Sequence, residues 1–479
     1  GQRRASQSRV GVGSPMNALS PFDCISPLDY RYYGAKPEAF ARLSPFLCER
    51  ARVRYEARVE AALAEVFAAR GLCSAETAAH IARACEAVTA EEVAEEEARV
   101  KHNTRALVNC IRKQVPEEAR RFVHLGLTSF DVIDTATSMR LGDVTREVLL
   151  PDLLALEKSL IALALREKDT PQIGRTHGQF AVPLTFGFAV ASYVSRLGSR
   201  IEALRQAAQN LRGKVSGAVG AYNSISLLLS DPLAFEREVL ERLGLQPAPH
   251  STQIVEAEYL TDYVHALSSL FGVLANFADD MRHLQRSEIG EVGEVFEPQQ
   301  VGSSTMPHKR NPESFEHVKS MWKAFVPRML TIYMDQISEH QRDLTNSASQ
   351  RFVTEAVAVL ALCVMRLNQV VPRLVVDRQA MARNLASAVP LVVAEPLYIV
   401  LAAAGHPDAH EAVRRLTREA LESGRSVMEL ASAQPEFKPY LGKLEARHLQ
   451  ALRSPENYLG LAAEKAEAVC REWQARLNL

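Results

Sequence analysis

Long stretches of helical hydrophobic periodicity alternate along this chain with short polar islands. Leu260, Val264, Leu267, Leu270, Leu274 and Phe277 recur every three or four positions, as do Phe315, Val318, Met321, Trp322, Phe325 and Val326. That spacing places each set on one face of a helix. The same period predicts helices over 253–289, over 184–211 (Phe188, Val190, Tyr193, Leu197, Ile201, Leu204) and over 129–168, the last broken near Gly142 or Pro151. The run 353–371 is apolar nearly all round, which predicts a helix buried on every side. Three helical patterns precede these between 44 and 100, divided near Gly71 and Thr89. Shorter ones follow, punctuated by Gly405, Pro407, Gly424, Pro435 and Pro439. No stretch sustains the alternation of a strand. The predicted class is all-α, with an N-terminal helical domain (16–125), a central long-helix bundle (126–376) and a C-terminal helical domain (377–479). Several central helices are too long to bury their apolar faces in one slender monomer, so the pattern predicts a bundle completed by other copies of the chain.

Composition narrows the setting. The 479 residues are 47% hydrophobic and 24% charged, with a formal net charge of −1. This is ordinary globular composition, and it gives no reason to expect a nucleic acid or an anionic membrane as partner. Seven scattered cysteines form no Cys-x-x-Cys pair, which points to reduced thiols and a cytoplasmic protein rather than a disulfide or zinc framework. The best candidate for a membrane span, 391–404, is interrupted by Glu395 and Pro396, so none is expected. The basic N-terminus lacks the apolar core of a secretory signal, and 1–15, ahead of Met16, reads as an expression-tag remnant. The run Glu91, Glu92, Glu95, Glu96 and Glu97 reads as a solvated helix face. The histidines lack ligand spacing, so no metal site is expected. The glycine-rich stretch 213–223 lacks the spacing of a phosphate loop or a dinucleotide fingerprint, and no cofactor is expected.

The chemistry concentrates in the islands. The densest is Gly302-Ser303-Ser304-Thr305-Met306-Pro307-His308-Lys309-Arg310-Asn311-Pro312, in a polar loop that starts near Glu291 and joins two helices. Its prolines and Gly-Ser-Ser stop any helix. The others are Arg31-Tyr32-Tyr33, Lys101-His102-Asn103, His124 with Thr128-Ser129, Gly174-Arg175-Thr176-His177-Gly178-Gln179, and Arg342 with Ser347 and Arg351. Thr128-Ser129 followed by Asp131 can cap the next helix, whose free N–H groups also suit an anion.

The 302–312 run resembles the signature loop Gly-Ser-Ser-x-Met-Pro-x-Lys-x-Asn-Pro of the fumarase/aspartase/argininosuccinate lyase superfamily and matches every fixed position. Ser26-Pro27-Leu28-Asp29-Tyr30-Arg31-Tyr32, the segment 174–179, and Arg342-Asp343-Leu344-Thr345-Asn346-Ser347 most resemble the adenylosuccinate lyases within it. The resemblance implies β-elimination of fumarate from a succinylated purine nucleotide, with Ser303 as general base and His177 as general acid. It implies that Lys309 and Asn311 hold the substrate carboxylate, with Ser304 beside them. It further implies substrate contacts from Arg31, Tyr32, Lys101, His102, Asn103, Thr128, Ser129, Gln253, Arg342, Ser347 and Arg351, supported by His124 and Thr176. A serine is a poor base unless its alkoxide is stabilised, a task open to Lys309, loop amides or a helix terminus. The resemblance also implies a homotetramer whose sites draw on three chains. Two positions depart from the family: Asn103 where Asp is common, and His317 where some members carry Arg. Argininosuccinate lyase and carboxymuconate cycloisomerase remain alternatives. A silent helical scaffold ranks below both, because Ser303, Lys309, Asn311 and His177 are all intact.

Overall fold

The computed structural model describes residues 20–306 and 308–479; the 1–15 segment read as a tag remnant, residues 16–19 and Pro307 lie outside them. After a π-helical turn at Leu28–Gly34 come α1 (Pro37–Leu47), α2 (Glu49–Ala69), α3 (Ala75–Ala87), α4 (Ala90–Val100), α5 (Asn103–Lys113) and the single turn α6 (Glu117–Arg120). The central part holds α7 (Ser129–Val144), α8 (Leu150–Arg166), strands β1 (Pro171–Thr176) and β2 (Gln179–Thr185), α9 (Phe186–Gln209), α10 (Asn223–Leu228), α11 (Pro232–Arg242), α12 (Glu258–Leu284), α13 (Glu313–Phe325), α14 (Arg328–Met334), α15 (Ser347–Arg351) and α16 (Val353–Val370). Then follow α17 (Arg378–Val392), α18 (Ala394–Ala403), α19 (Ala409–Ser423), α20 (Val427–Ala433), α21 (Lys438–Leu441), α22 (Ala446–Arg453) and α23 (Ala462–Leu477). The fold is all-α in class, as the periodicity predicts.

The largest core is built by α7, α8, α9, α12 and α16. It buries Leu153, Leu160, Val194, Ile201, Leu270, Phe277, Val357 and Leu367, and the last helix, α23, adds Cys470 and Trp473. A second core joins α2, α3 and α5 to α11, with the Phe67 and Phe235 rings stacked at 5.3 Å. A third lies among α18, α19, α20 and α22 around Leu397, Leu401, Val413, Leu416 and Leu430. The helical run Ser347–Arg373 is long and apolar enough to cross a membrane, which 391–404 is not on its own, but 56% of its most apolar window is buried inside the fold. In α8 the Glu157 carboxyl is fully buried, and neither oxygen has a hydrogen-bond partner. Burial pushes its pKa up to about 9.

Three expectations need correction. The 129–168 helix does not break; it widens into a π-helical turn at Thr145–Leu149. Pro151 has no N–H to give back to the preceding turn, and the wider turn just before it absorbs that loss. The helix predicted over 253–289 is α12, which starts at Glu258 and ends at Leu284, so Gln253 sits before it, within the turn closed by the Ser251–Val255 bridge. Strands are also present: β1 and β2 form an antiparallel hairpin, and the helix expected from 184 starts at Phe186.

Candidate active site

The hairpin carries His177 at its tip. Thr176 pairs with Gln179, leaving His177 and Gly178 as a two-residue turn with φ of 53° and 73°. Positive φ at both positions is what a type I′ turn requires, and it matches the twist of the strands. His177 is exposed and makes no hydrogen bond among the described residues. The base of the hairpin is fastened. Gly174 lies so near Val182 that a Cβ would come within 2.4 Å of its carbonyl oxygen. Ile173 packs on Leu385, Ala388 and Val392 of α17. Arg175 donates to both oxygens of Glu291, at 2.8 and 3.3 Å, and the Gln172 side-chain amide donates at 2.7 Å.

From Glu291 the chain enters the signature loop. Ser303 Oγ accepts hydrogen bonds from the backbone N–H groups of Thr305 (3.2 Å) and Met306 (3.1 Å), and lies 3.4 Å from Thr305 Oγ1. Two amides aimed at one hydroxyl oxygen favour its charged form. The Asn311 amide donates to the Gly302 carbonyl at 2.6 Å and staples the two arms of the loop. The arms cross at Gly302, where a Cβ would sit 1.8 Å from the Lys309 carbonyl oxygen. Ser304 and Lys309 are exposed. Lys309 makes no bond to Ser303, so of the stabilisers open to the serine the loop amides are the ones in contact. Glu294 secures the far arm by accepting from the Ser314 and Phe315 N–H groups at the start of α13. One turn on, His317 lies against the Tyr32 ring, with centroids 5.3 Å apart. Burial, reinforced by Arg366 and Lys36, pulls its pKa down to about 4. At neutral pH this position therefore presents an uncharged imidazole. Arg31, in the π turn with Tyr32, is exposed.

The N-terminus of α7 gathers most of the remaining candidates. Asp131 accepts from the Thr128 N–H at 2.8 Å, fixing Thr128 and Ser129 at the helix start. The same carboxylate accepts from the Ser216 and Gly217 N–H groups and is paired with the fully buried Lys214 ammonium. One turn on, Asp134 accepts from the Val255 N–H at 2.9 Å and so places the segment holding Gln253. Burial pushes Asp134 up to about 6, opposed by that amide and by the nearby Lys214 and Arg342. The Gln253 N–H donates to the Gln341 carbonyl at 3.2 Å, next to Arg342.

Arg342 lies over the Phe130 ring, 3.9 Å from its centroid, and among the described residues none of its three buried guanidinium nitrogens has a hydrogen-bond partner. Burial pulls its pKa down while Asp134 opposes the shift. An unpaired, half-buried guanidinium is costly unless an anion arrives to meet it. Ser347, Arg351 and Asn103 line an adjoining cavity of about 490 Å³. Lys101 closes α4 in the left-handed region (φ 59°), and His102 caps α5 by accepting from the Arg105 N–H. His124, also left-handed (φ 63°), is bonded through Nδ1 to the buried Glu60 at 2.6 Å. Burial pulls the His124 pKa down, but the carboxylate outweighs it and the net shift is upward. Left-handed non-glycine residues are uncommon and gather at functional sites. Lys101, His124 and His177 are three such residues.

One chain thus brings Thr128, Ser129, Gln253, Arg342, Ser347, Arg351 and Asn103 around the start of α7, with Lys101, His102 and His124 adjoining. The hairpin with Thr176 and His177, and the loop with Ser303, Ser304, Lys309 and Asn311, form a second group joined at their bases. Among the described residues no hydrogen bond or ion pair links His177, Ser303 or Lys309 to one another or to the first group. Sequence reasoning did not single out Lys214, Phe130 or Glu291. Lys214 was the clearest available signal, a cation set between Gly213 and the run Val215-Ser216-Gly217, all small or apolar and all buried.

The fold of long helices and the family matches together make this a lyase of the fumarase/aspartase class. A family model described as Lyase matches residues 30–325, and another described as Adenylosuccinate lyase C-terminal matches 338–458. An adenylosuccinate lyase from Archaeoglobus fulgidus is 35% identical over 451 residues, 93% of this chain and 98% of that protein. An N-acetyl-S-(2-succino)cysteine lyase from Enterococcus italicus is 31% identical over 434 residues, 89% of this chain and 93% of that protein. The crystal structure of 3-carboxy-cis,cis-muconate lactonizing enzyme from Pseudomonas putida superposes with a TM-score of 0.79 at 27% identity, covering 95% of this chain and all of that one. The chain belongs to the adenylosuccinate lyase family.

Proposed function

We propose that this lyase eliminates fumarate from adenylosuccinate to leave AMP, and from the succinylated aminoimidazole carboxamide ribotide of purine biosynthesis. The observation that carries the reading is the Ser303 hydroxyl oxygen under two loop N–H groups. Ser303 takes the proton beside a succinyl carboxylate, and the two amides stabilise the alkoxide that makes a serine basic enough to do so. Lys309 and Asn311 meet the carboxylate on which charge develops. His177, exposed at its hairpin tip, protonates the departing nitrogen, a task its side chain suits near neutral pH. Arg342, Ser347 and Arg351, with Arg31 and Tyr32, meet the nucleotide end, while Thr128, Ser129, Gln253, Lys101, His102 and Asn103 complete the substrate contacts.

The working form is a cytoplasmic homotetramer with sites shared between chains. The exposed Leu330, Met334 and Ile337 on and just beyond α14, and the lack of a hydrogen-bond partner for the His177 side chain among the described residues, support this. Purified protein is given adenylosuccinate and followed by ultraviolet absorbance, with N-acetyl-S-(2-succino)cysteine and carboxymuconate as comparison substrates. AMP and fumarate from adenylosuccinate are expected. Turnover of a comparison substrate alone overturns the proposal. Mixing Ser303→Ala with His177→Ala protein should restore part of the activity after subunit exchange. No recovery despite demonstrated exchange counts against shared sites.

A further inference from the structure

We infer that Glu291 is a positioning residue for the elimination: one buried carboxylate fixes both the hairpin that carries His177 and the root of the loop that carries Ser303. The inference rests on the roles proposed above for those two residues. Glu291 is fully buried. Its side chain accepts from Arg175 twice, from Gln172 at 2.7 Å and from Asn384 of α17 at 2.8 Å, so donors from the hairpin and from α17 converge on one anion. Its main chain is pinned as well. Its N–H donates to the Leu284 carbonyl at the end of α12, its carbonyl accepts from the Asp377 N–H ahead of α17, and Val292 pairs with Val376. Beyond Gly293 that pairing ends and the loop departs. Arg175 is held between Glu291 and the Phe180 ring of β2, with its side chain only 18% exposed.

Among the described residues no hydrogen bond or ion pair nearer either tip ties one reacting element to the other. The type I′ turn is short and allows little independent travel at the hairpin tip, so the aim of His177 follows from how the strands are seated. The same carboxylate seats the loop root. Glu291→Gln keeps the shape, removes the charge and sets an amide N–H₂ against a ring of donors. Arg175 is left buried without its anion, the larger part of the cost. A displacement of about an ångström at reacting groups is enough to cost up to about a hundredfold in rate.

The test compares wild type with Glu291→Gln, Arg175→Gln and the double variant, alongside His177→Ala and Ser303→Ala, as folded protein by circular dichroism. Both single variants should lose about tenfold or more in kcat with KM little changed, and the pH profile of kcat should shift. The double variant should be no worse than the poorer single one, because both remove one interaction. A kcat and pH profile like wild type in Glu291→Gln, with only a lower Tm, overturns the inference and leaves a merely structural residue. If Glu291→Gln does not fold, Asn384→Ala, which removes a single neutral donor, should lose kcat severalfold, and a wild-type kcat and pH profile there overturns it equally. Full turnover in His177→Ala or Ser303→Ala sinks the proposed roles themselves. Loss of turnover in those two, with none in Glu291→Gln, sinks this inference alone.

Discussion

The start of α7 and the hairpin–loop pair are built on opposite principles. Around α7, Asp131 and Asp134 fasten segments far apart in sequence, Lys214 is buried with its counter-ion, and Arg342 is held by an aromatic face with its donors unspent. The hairpin is fixed at its root and the signature loop at its root and across its arms by Asn311, yet both present side chains to the exterior: His177, Ser304 and Lys309. On the proposed function, the first region recognises an anion within one chain, and the second holds proton-transfer groups that close over substrate against other copies of the chain. The contrast separates binding, which calls for a preformed site, from chemistry, which calls for parts that meet over the substrate.

Substitutions should divide along the same line. The largest effect is expected in the exposed region. Ser303→Ala should lower kcat by about a hundredfold to ten-thousandfold, the range of a lost acid–base group, with substrate binding kept. Solvent exchange of the succinyl β-hydrogen should vanish with it and survive in His177→Ala if the carbanion forms reversibly; the opposite pattern exchanges the two roles. In the braced region, Lys214→Met strands Asp131 without its partner. It should cost about 3 to 5 kcal/mol of stability, as breaking a buried pair does, and denaturant unfolding reads it directly. If Lys214→Met were neutral there, the bracing would not be what holds Thr128 and Ser129.

Arg342→Ala should act mostly on KM, raising it about tenfold to a hundredfold for an anionic substrate, because a charge-assisted contact made in ground and transition states alike is worth about 1.5 to 3 kcal/mol. A fall in kcat at constant KM would move Arg342 from recognition to chemistry. The smallest effect concerns His124. Its folded pKa lies above the ordinary 6.5, so the Glu60 pair contributes fully below that pH and fades as pH rises through the folded value. The Tm advantage of wild type over His124→Gln should therefore shrink from mildly acidic to mildly alkaline solution, and a growing advantage would reverse the sign of the coupling.

Helix positions and caps were legible because they are local: Thr128 and Asp131 stand three apart, and the buried stripe of α12 repeats every turn. The family was legible in the signature loop for the same reason. The hairpin was not. Its strands are short, Gly174 breaks the alternation where the register shifts between Ile173 and Arg175, and the turn at His177-Gly178 lacks the usual Asn or Asp before its glycine. Glu291 was passed over because its meaning is non-local. Its partners Arg175 and Asn384 lie far along the chain in both directions, and no window of sequence contains all three. The extent of α12 was overread at its start because Ile254, Val255 and Ala257 carry the apolar pattern back past Glu258, yet that segment is held out of the helix by the Ser251–Val255 bridge and by bonds to Asp134 and Gln341.

Glu157 has a consequence for the heat and proton balance of unfolding. Its carboxyl keeps its proton inside α8 up to about pH 9, whereas an exposed chain releases it near 4.5. Between those values each unit of pH lowers the unfolding free energy by about 1.4 kcal/mol through this one group. At neutral pH the unfolding chain therefore hands a proton to the buffer. The calorimetric enthalpy will then depend on the buffer's own heat of protonation, differing between phosphate and an amine buffer, and that difference will be smaller in Glu157→Gln.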